Sequence, residues 1–221
     1  DCGLSFYGHN QLYGKWAIGV GSQIPGSGAV GGRELRASFE TNNSGAYLYS
    51  ASEMEVVSTE NVPEIPFIYR NNGFDILGRD CSVDEVTAFI SHPKFQKKSL
   101  SGLLLDQKFI LGMGNYLRSE VLFCSGVHPD SRLMDLDQKK ITQLSFWIIE
   151  IMKRAYVHKG ITNDPKREKK LKARGLDFES RRFFVFDREG KNCYECQSVI
   201  QRIEKSGRRL YYCPSCQKQQ Y

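Results

Sequence analysis

No apolar run in these 221 residues approaches the roughly 18–20 residues a bilayer-spanning helix needs. The opening stretch, DCGLSFYGHN, has neither a basic n-region nor an apolar h-region, which argues against a secretory leader. Together these absences predict a soluble protein. An internal repeat is missing too, so the chain is not a solenoid or a propeller. Acidic residues are scarce in one place. Residues 166–174, KREKKLKAR, carry Lys166, Arg167, Lys169, Lys170, Lys172 and Arg174 against Glu168 alone. From residue 181 onward basic residues again outnumber acidic ones, so the formal charge of +6 gathers in the C-terminal third. A modest positive excess of this kind fits either a solvated face or a polyanionic partner.

What is present is cysteine, seven in all, with 40% apolar residues and length enough for one large domain or two modest ones. An odd cysteine count without a leader fits a reducing compartment, where C-x-x-C pairs bind metal rather than form disulfides. Residues 1–62 alternate in polarity and are broken by Gly14, Gly19, Gly21 and Pro25-Gly26-Ser27-Gly28, with Asn42-Asn43-Ser44-Gly45 as a hairpin signal. They read as an antiparallel β-sandwich already under way at Leu4–Tyr7. A Pro- and Asn-rich linker covers 63–81. Helices are expected over 82–180, the first opened by the capping box Ser82-Val83-Asp84-Glu85. A second is expected from Leu103 to Leu111, a third over 116–124 with Asn115 as its N-cap. The fourth presents Ile141, Leu144, Ile148, Ile151, Met152 and Ala155 on one face and ends at Gly160. Residues 161–180 read as a mobile basic loop. Phe183-Phe184-Val185-Phe186 reads as the start of β structure leading into 181–221. The fold class is α+β.

Three stretches carry chemistry. Cys193, Cys196, Cys213 and Cys216 form two C-x-x-C knuckles separated by sixteen residues. Each knuckle supplies two thiolates to a tetrahedral site, and the alternating segment between them folds as a hairpin presenting Arg208 and Arg209. One structural Zn²⁺ with no open position is expected; an iron centre or a redox dithiol pair is the alternative. In LLLDQKFILGMGNYLRSEV a glycine turn ends one helix and Asn115 starts the next. The free N–H groups there suit an anion, with the Asn115 side chain as an added donor. Gly8-His9-Asn10-Gln11-Leu12-Tyr13-Gly14 is a glycine-flanked tip whose Leu12 and Tyr13 suit insertion into a base stack. Taken alone, the second stretch reads as readily as a packing turn, and the third as a strand with Leu12 in the core.

In order and spacing, these stretches together resemble the formamidopyrimidine-DNA glycosylase/endonuclease VIII family across nearly the whole chain. The likeness is closest to the bacterial endonuclease VIII branch, through HNQLYGKW, LYSASE, GLLLDQKFILGMGNYLRSEVLF and CPSCQ. The resemblance implies a sandwich domain, a helix-two-turn-helix domain and a zinc β-hairpin, acting as a monomer on double-stranded DNA that holds an oxidised base or abasic site. It implies a bacterial cytoplasmic protein at the nucleoid, a base-excision glycosylase and AP lyase that removes oxidised pyrimidines and nicks by β,δ-elimination. Gln11, Leu12 and Tyr13, beside His9, would fill the void left by an everted base. Gln11, Arg70 and Asn115 would contact DNA. Arg208 would bind the phosphate beside the lesion and assist δ-elimination, with Arg209 a general backbone contact. The basic stretch about 161–180 would vary with lesion choice.

The family also implies an N-terminal Pro-Glu pair, as amine nucleophile and acid/base, and a lysine shortly before HNQLYG. None of these lies in this sequence, and the expectation is a fragment of a longer chain, because a sandwich without its first strands leaves unpaired edges. The alternative is a catalytically inactive module that binds damaged DNA. A zinc-ribbon protein of transcription would explain the cysteines but neither of the other two stretches.

Overall fold

The computed structural model describes residues 2–10, 13–20, 32–65 and 73–219. The chain divides into two compact units, residues 1–69 and 70–221. Among the described residues no helix is long and apolar enough to cross a membrane.

The first unit is antiparallel β structure. Strands β1 (Leu4–His9) and β5 (Glu53–Ser58) pair with each other. Strands β2 (Lys15–Val20), β4 (Ser44–Tyr49) and β3 (Leu35–Glu40) form a second sheet in that order. Strand β4 is central, and Tyr47, Leu48 and Tyr49 are all buried. The hairpin expected at Asn42–Gly45 joins β3 to β4, closed by Thr41 N–H donating to the Ser44 carbonyl at 2.8 Å. Gly45 has a steric reason, since a Cβ there would lie 2.6 Å from the Tyr47 hydroxyl. The sheets meet through aromatic side chains: the Phe6 ring packs edge-on against Trp16 and Phe39, with centroids 6.5 and 5.0 Å apart.

The second unit holds six helices among its described residues. Helix α1 (Val83–Ile90) begins with the expected capping box: Ser82 Oγ accepts from Glu85 N–H, and Glu85 Oε2 accepts from Ser82 N–H. Helix α2 spans only Leu100–Leu103, not Leu103–Leu111. The backbone after it turns instead. Asp106 accepts from Lys108 N–H, and residues 107–111 exchange hydrogen bonds with Gly73 and Phe74 in a short parallel bridge. The amides of Lys108, Phe109 and Ile110 go to Asp106 and that of Leu111 to Phe74, so a helix is not required of them. Helix α3 is Asn115–Cys124, with Gly114 rather than Asn115 at the N-cap and no side chain capping it.

Helix α4 (Gln138–Val157) buries the whole predicted face from Ile141 to Ala155. It ends where Gly160, at φ +95°, donates to the Ala155 carbonyl. Residues 161–180 are not a loop. Helix α5 (Pro165–Ala173) starts at Asp164, whose side chain accepts from Arg167 N–H, with Pro165 in the first turn. Helix α6 (Phe178–Arg181) is capped by Asp177 in the same way. Residues 183–186, expected as a strand, form a turn held by a buried carboxylate described below. Strands β6 (Gln201–Lys205) and β7 (Arg208–Tyr212) make the predicted hairpin. One apolar core runs from Ile76 through α1–α4 to Ile200, Leu210 and Cys213 of the hairpin, so helices and hairpin share a single interior.

Candidate nucleic-acid interface

The glycine turn before α3 is built around one side chain. Gln107 donates through Nε2 to the carbonyls of Leu105 and Met113, and its Oε1 accepts from Gly112 N–H. Gly112 sits at φ +74°, in the left-handed region that favours glycine. The first intrahelical bond of α3 runs from Arg118 N–H to the Gly114 carbonyl. The amides of Asn115, Tyr116 and Leu117 therefore have no intrahelical acceptor, and no side chain caps them.

The hairpin turn lies beside this helix start. Ser206 and Gly207 both have positive φ, 55° and 66°, as a two-residue type I′ turn requires. A cavity of about 540 Å³ opens between the two turns, lined by Gly112, Met113, Gly114, Gln107, Ser206 and Arg208 among others. Its one acidic lining residue, Asp106, is paired with Lys98 at 3.5 Å. The space is thus bordered by a helix N-terminus, a hydroxyl and an exposed guanidinium, a set of groups that favours an anion with several acceptor oxygens.

Two side chains hold the hairpin in this place. Arg118 is fully buried and has no carboxylate partner among the described residues. Its guanidinium donates to the carbonyls of Ser101 (2.9 Å), Lys205 (3.2 Å) and Arg209 (3.2 Å), and to Asn115 Oδ1 (2.6 Å). Burial, and then the charge of Arg208, lower its pKa to about 10, so it stays charged at neutral pH. Asn115 completes the latch, its Nδ2 donating to the Arg209 carbonyl at 2.8 Å. Both ends of the Asn115 side chain thus grip protein, and the second hydrogen of Nδ2 is the one left for the anion expected from the sequence. Of the two arginines, Arg208 lines the cavity, whereas Arg209 lies by the Tyr211 hydroxyl on the side of Asp187.

A second buried charge, Glu120, organises the far face of α3. It accepts from the N–H groups of Phe184 (2.8 Å), Val185 (2.9 Å) and Phe186 (2.9 Å), and from the Thr162 hydroxyl. Burial pushes its pKa up, and the four donors pull it back. Neither Arg118 nor Glu120 is among the sequence-based candidates. In the structure both lie in a helix that is buried over Leu117–Phe123, a burial that NYLRSEVLFC alone does not announce.

The four C-terminal cysteines converge as expected. Their sulfur atoms all lie within 4.8 Å of one another, close enough to share one metal ion. Gln217 braces the second knuckle, accepting from Cys213 N–H and donating to the Val127 carbonyl, each at 2.9 Å. In the first unit, His9 ends β1 and its carbonyl accepts from Ser52. Tyr13 is 71% exposed on a turn closed by Gly14 N–H to the Asn10 carbonyl. Gly14 is obligatory there, because a Cβ would come within 2.5 Å of Asn10. Gln11, Leu12 and Arg70 lie outside the described residues.

Residues 77–166 match the family model described as the formamidopyrimidine-DNA glycosylase H2TH domain. Endonuclease 8 of Salmonella arizonae is 36% identical over 216 residues, which cover 98% of this chain and 77% of that protein. Endonuclease 8 of Enterobacter sp. (strain 638) is 38% identical over 215 residues, covering 97% and 76%. The chain belongs to the formamidopyrimidine-DNA glycosylase/endonuclease VIII family. Members of this family are DNA glycosylases and AP lyases. Two solved structures of the Lactococcus lactis Fpg share the fold. One holds a Fapy-dG-containing DNA (TM-score 0.72, 22% identity, 98% of this chain and 76% of that one). The other holds DNA with an abasic site (TM-score 0.70, 22% identity, the same shares). Within the family frame, the glycine turn before α3 is the helix-two-turn-helix, and the latch of Arg118 and Asn115 joins it to the cysteine-bearing hairpin.

Proposed function

We propose that this chain acts in a base-excision DNA glycosylase with AP lyase activity, one that works on oxidised pyrimidines in duplex DNA and nicks by β,δ-elimination. The observation that carries the reading is the cavity between the two turns. The glycine turn that leads into α3, Ser206 and Arg208 border one space, and a buried guanidinium holds the hairpin against α3. A backbone phosphate is the duplex DNA group that fits such a space. A lyase gains from that grip, because the phosphate held there is a leaving group of the elimination and a guanidinium stabilises its charge. Arg208 takes that role, and Arg209 is an outer backbone contact.

The four thiolates fit one structural zinc ion. The donor set is all sulfur, the cluster leaves no protein-free position for chemistry, and the ion would tie the two knuckles that set the hairpin. In the first unit, Leu12 and Tyr13, with Gln11 and His9 beside them, would enter the base stack while the damaged base is everted. Arg70 would add a DNA contact. The attack on C1′, which the family resemblance gives to an N-terminal proline amine with a glutamate as acid/base, is not assigned to any of these 221 residues.

The test is strand scission by the full-length protein on a duplex with one oxidised pyrimidine. The expected products are ends that both carry phosphate. An α,β-unsaturated aldehyde remnant of the sugar left on the 3′ end would reduce the reading to β-elimination alone. Binding of the abasic duplex with neither base release nor scission would instead favour a damage-binding module.

A further inference from the structure

The nine residues of α5 show a division of charge that the cavity site does not use. Residues on its inward side are committed. Leu171 is buried, Glu168 pairs with Arg181 of α6, and Arg167 pairs with Glu195 at 2.7 Å while its guanidinium lies over the Phe184 and Tyr194 rings. The acids of the neighbourhood are spent as well. Asp164 and Asp177 cap the two helices, and Glu179 pairs with Arg182 at 2.9 Å. On the outward side Lys166, Lys169 and Lys170 are exposed at i, i+3 and i+4, with Lys172 and Arg174 flanking them. None of these five makes an ion pair among the described residues. Five cations are therefore presented from a platform fixed at both ends, not from a loop.

We propose that this outward face of α5 is a second DNA-binding surface, one that holds the phosphate backbone of undamaged duplex independently of any lesion. The inference rests on the DNA-repair reading above and deepens it. A helix of this length runs about 13 Å, and a DNA strand presents a phosphate about every 3.4 Å along the axis, so the lysine stripe can meet several phosphates at once. The segment after α5 is also tied to α3. Arg182, next to α6, lies over the Tyr116 ring in the first turn of α3, 5.7 Å from its centroid. With no aromatic side chain on that face and no donor fork other than Arg174, the stripe has the means to attract phosphate but not to read bases. Its role is to raise the affinity for undamaged DNA and so support the search along it.

The experiment measures the salt dependence of binding by the full-length protein to undamaged duplex and to duplex with an abasic-site analogue. Lys166→Gln/Lys169→Gln/Lys170→Gln is compared with the charge-matched Lys97→Gln/Lys139→Gln/Lys218→Gln, whose lysines are exposed on other elements. The expected result is a loss of roughly two to three units of slope on undamaged duplex for the α5 triple only. An unaltered slope with lesion binding intact would overturn the proposal and leave the repair reading standing. Equal losses in both triples would assign the effect to net charge and overturn it too. Absence of any DNA binding by the unsubstituted protein would remove both.

Discussion

Arg208 and Arg209 are neighbours in sequence with the same charge, and their surroundings separate them. Arg208 borders the cavity with the glycine turn before α3, while Arg209 lies by Tyr211. Arg208→Ala should therefore weaken duplex binding, slow strand scission and lower the salt slope by about one unit. Arg209→Ala should do clearly less in the same titration; equal losses would assign the phosphate to the wrong arginine. The arginine pair was legible from the sequence, because a Ser-Gly turn between two knuckles fixes what stands at the tip. The role of Asn115 was only half legible. Its place at a helix start follows from the glycines before it, but the partner of its amide is a carbonyl 94 residues away, and local pattern holds no trace of it. Arg118 was missed for the same reason: all but one of its acceptors are main-chain carbonyls, which every sequence has.

At the scale of elements, local signals succeeded where the chain satisfies itself locally and failed where a distant group does so. The Ser82–Glu85 box, the apolar face of α4 and the β6–β7 hairpin are self-contained, and all three stand as read. Residues 183–186 look like a strand because four apolar residues run together, yet their amides go to Glu120, 64 to 66 positions earlier. Helix α5 was mistaken for a loop because its polar composition masked the Asp164-Pro165 start. The Glu120 hub gives a direct test. Glu120→Gln replaces one acceptor oxygen by a donor facing N–H groups, leaving buried donors unmatched. It should lower the unfolding free energy by roughly 2–3 kcal/mol, read in a urea melt. A change within error would mean the turn holds without the carboxylate. The hairpin gives another. Cys213→Ser should lose the metal and expose the β6–β7 amides to rapid hydrogen exchange, because closure of the knuckles supplies much of such a unit's folding free energy. Full zinc occupancy in a chain lacking both Cys213 and Cys216 would contradict the ligand assignment.

For the whole molecule, the two units carry different halves of the task. The phosphate cavity belongs entirely to residues 70–221, and the exposed tip with Tyr13 belongs to residues 1–69. In the proposed function the cavity would grip a backbone group that every nucleotide has, and so position a strand without sensing damage. The tip has an apolar ring free to occupy the space a base vacates. These roles predict unequal effects on two substrates. Opening a paired base costs a few kcal/mol, and an abasic position has no base left to evert. Leu12→Ala/Tyr13→Ala should therefore slow base excision from an intact duplex strongly and slow scission at a pre-formed abasic site much less. Single-turnover rates on the two duplexes, with the same flanking sequence, give the comparison. Arg208→Ala should show no such split, because its phosphate is present in both substrates. Parallel losses in the tip variant would return Leu12 and Tyr13 to an ordinary structural turn and leave the everted base to be stabilised by some other part of the chain.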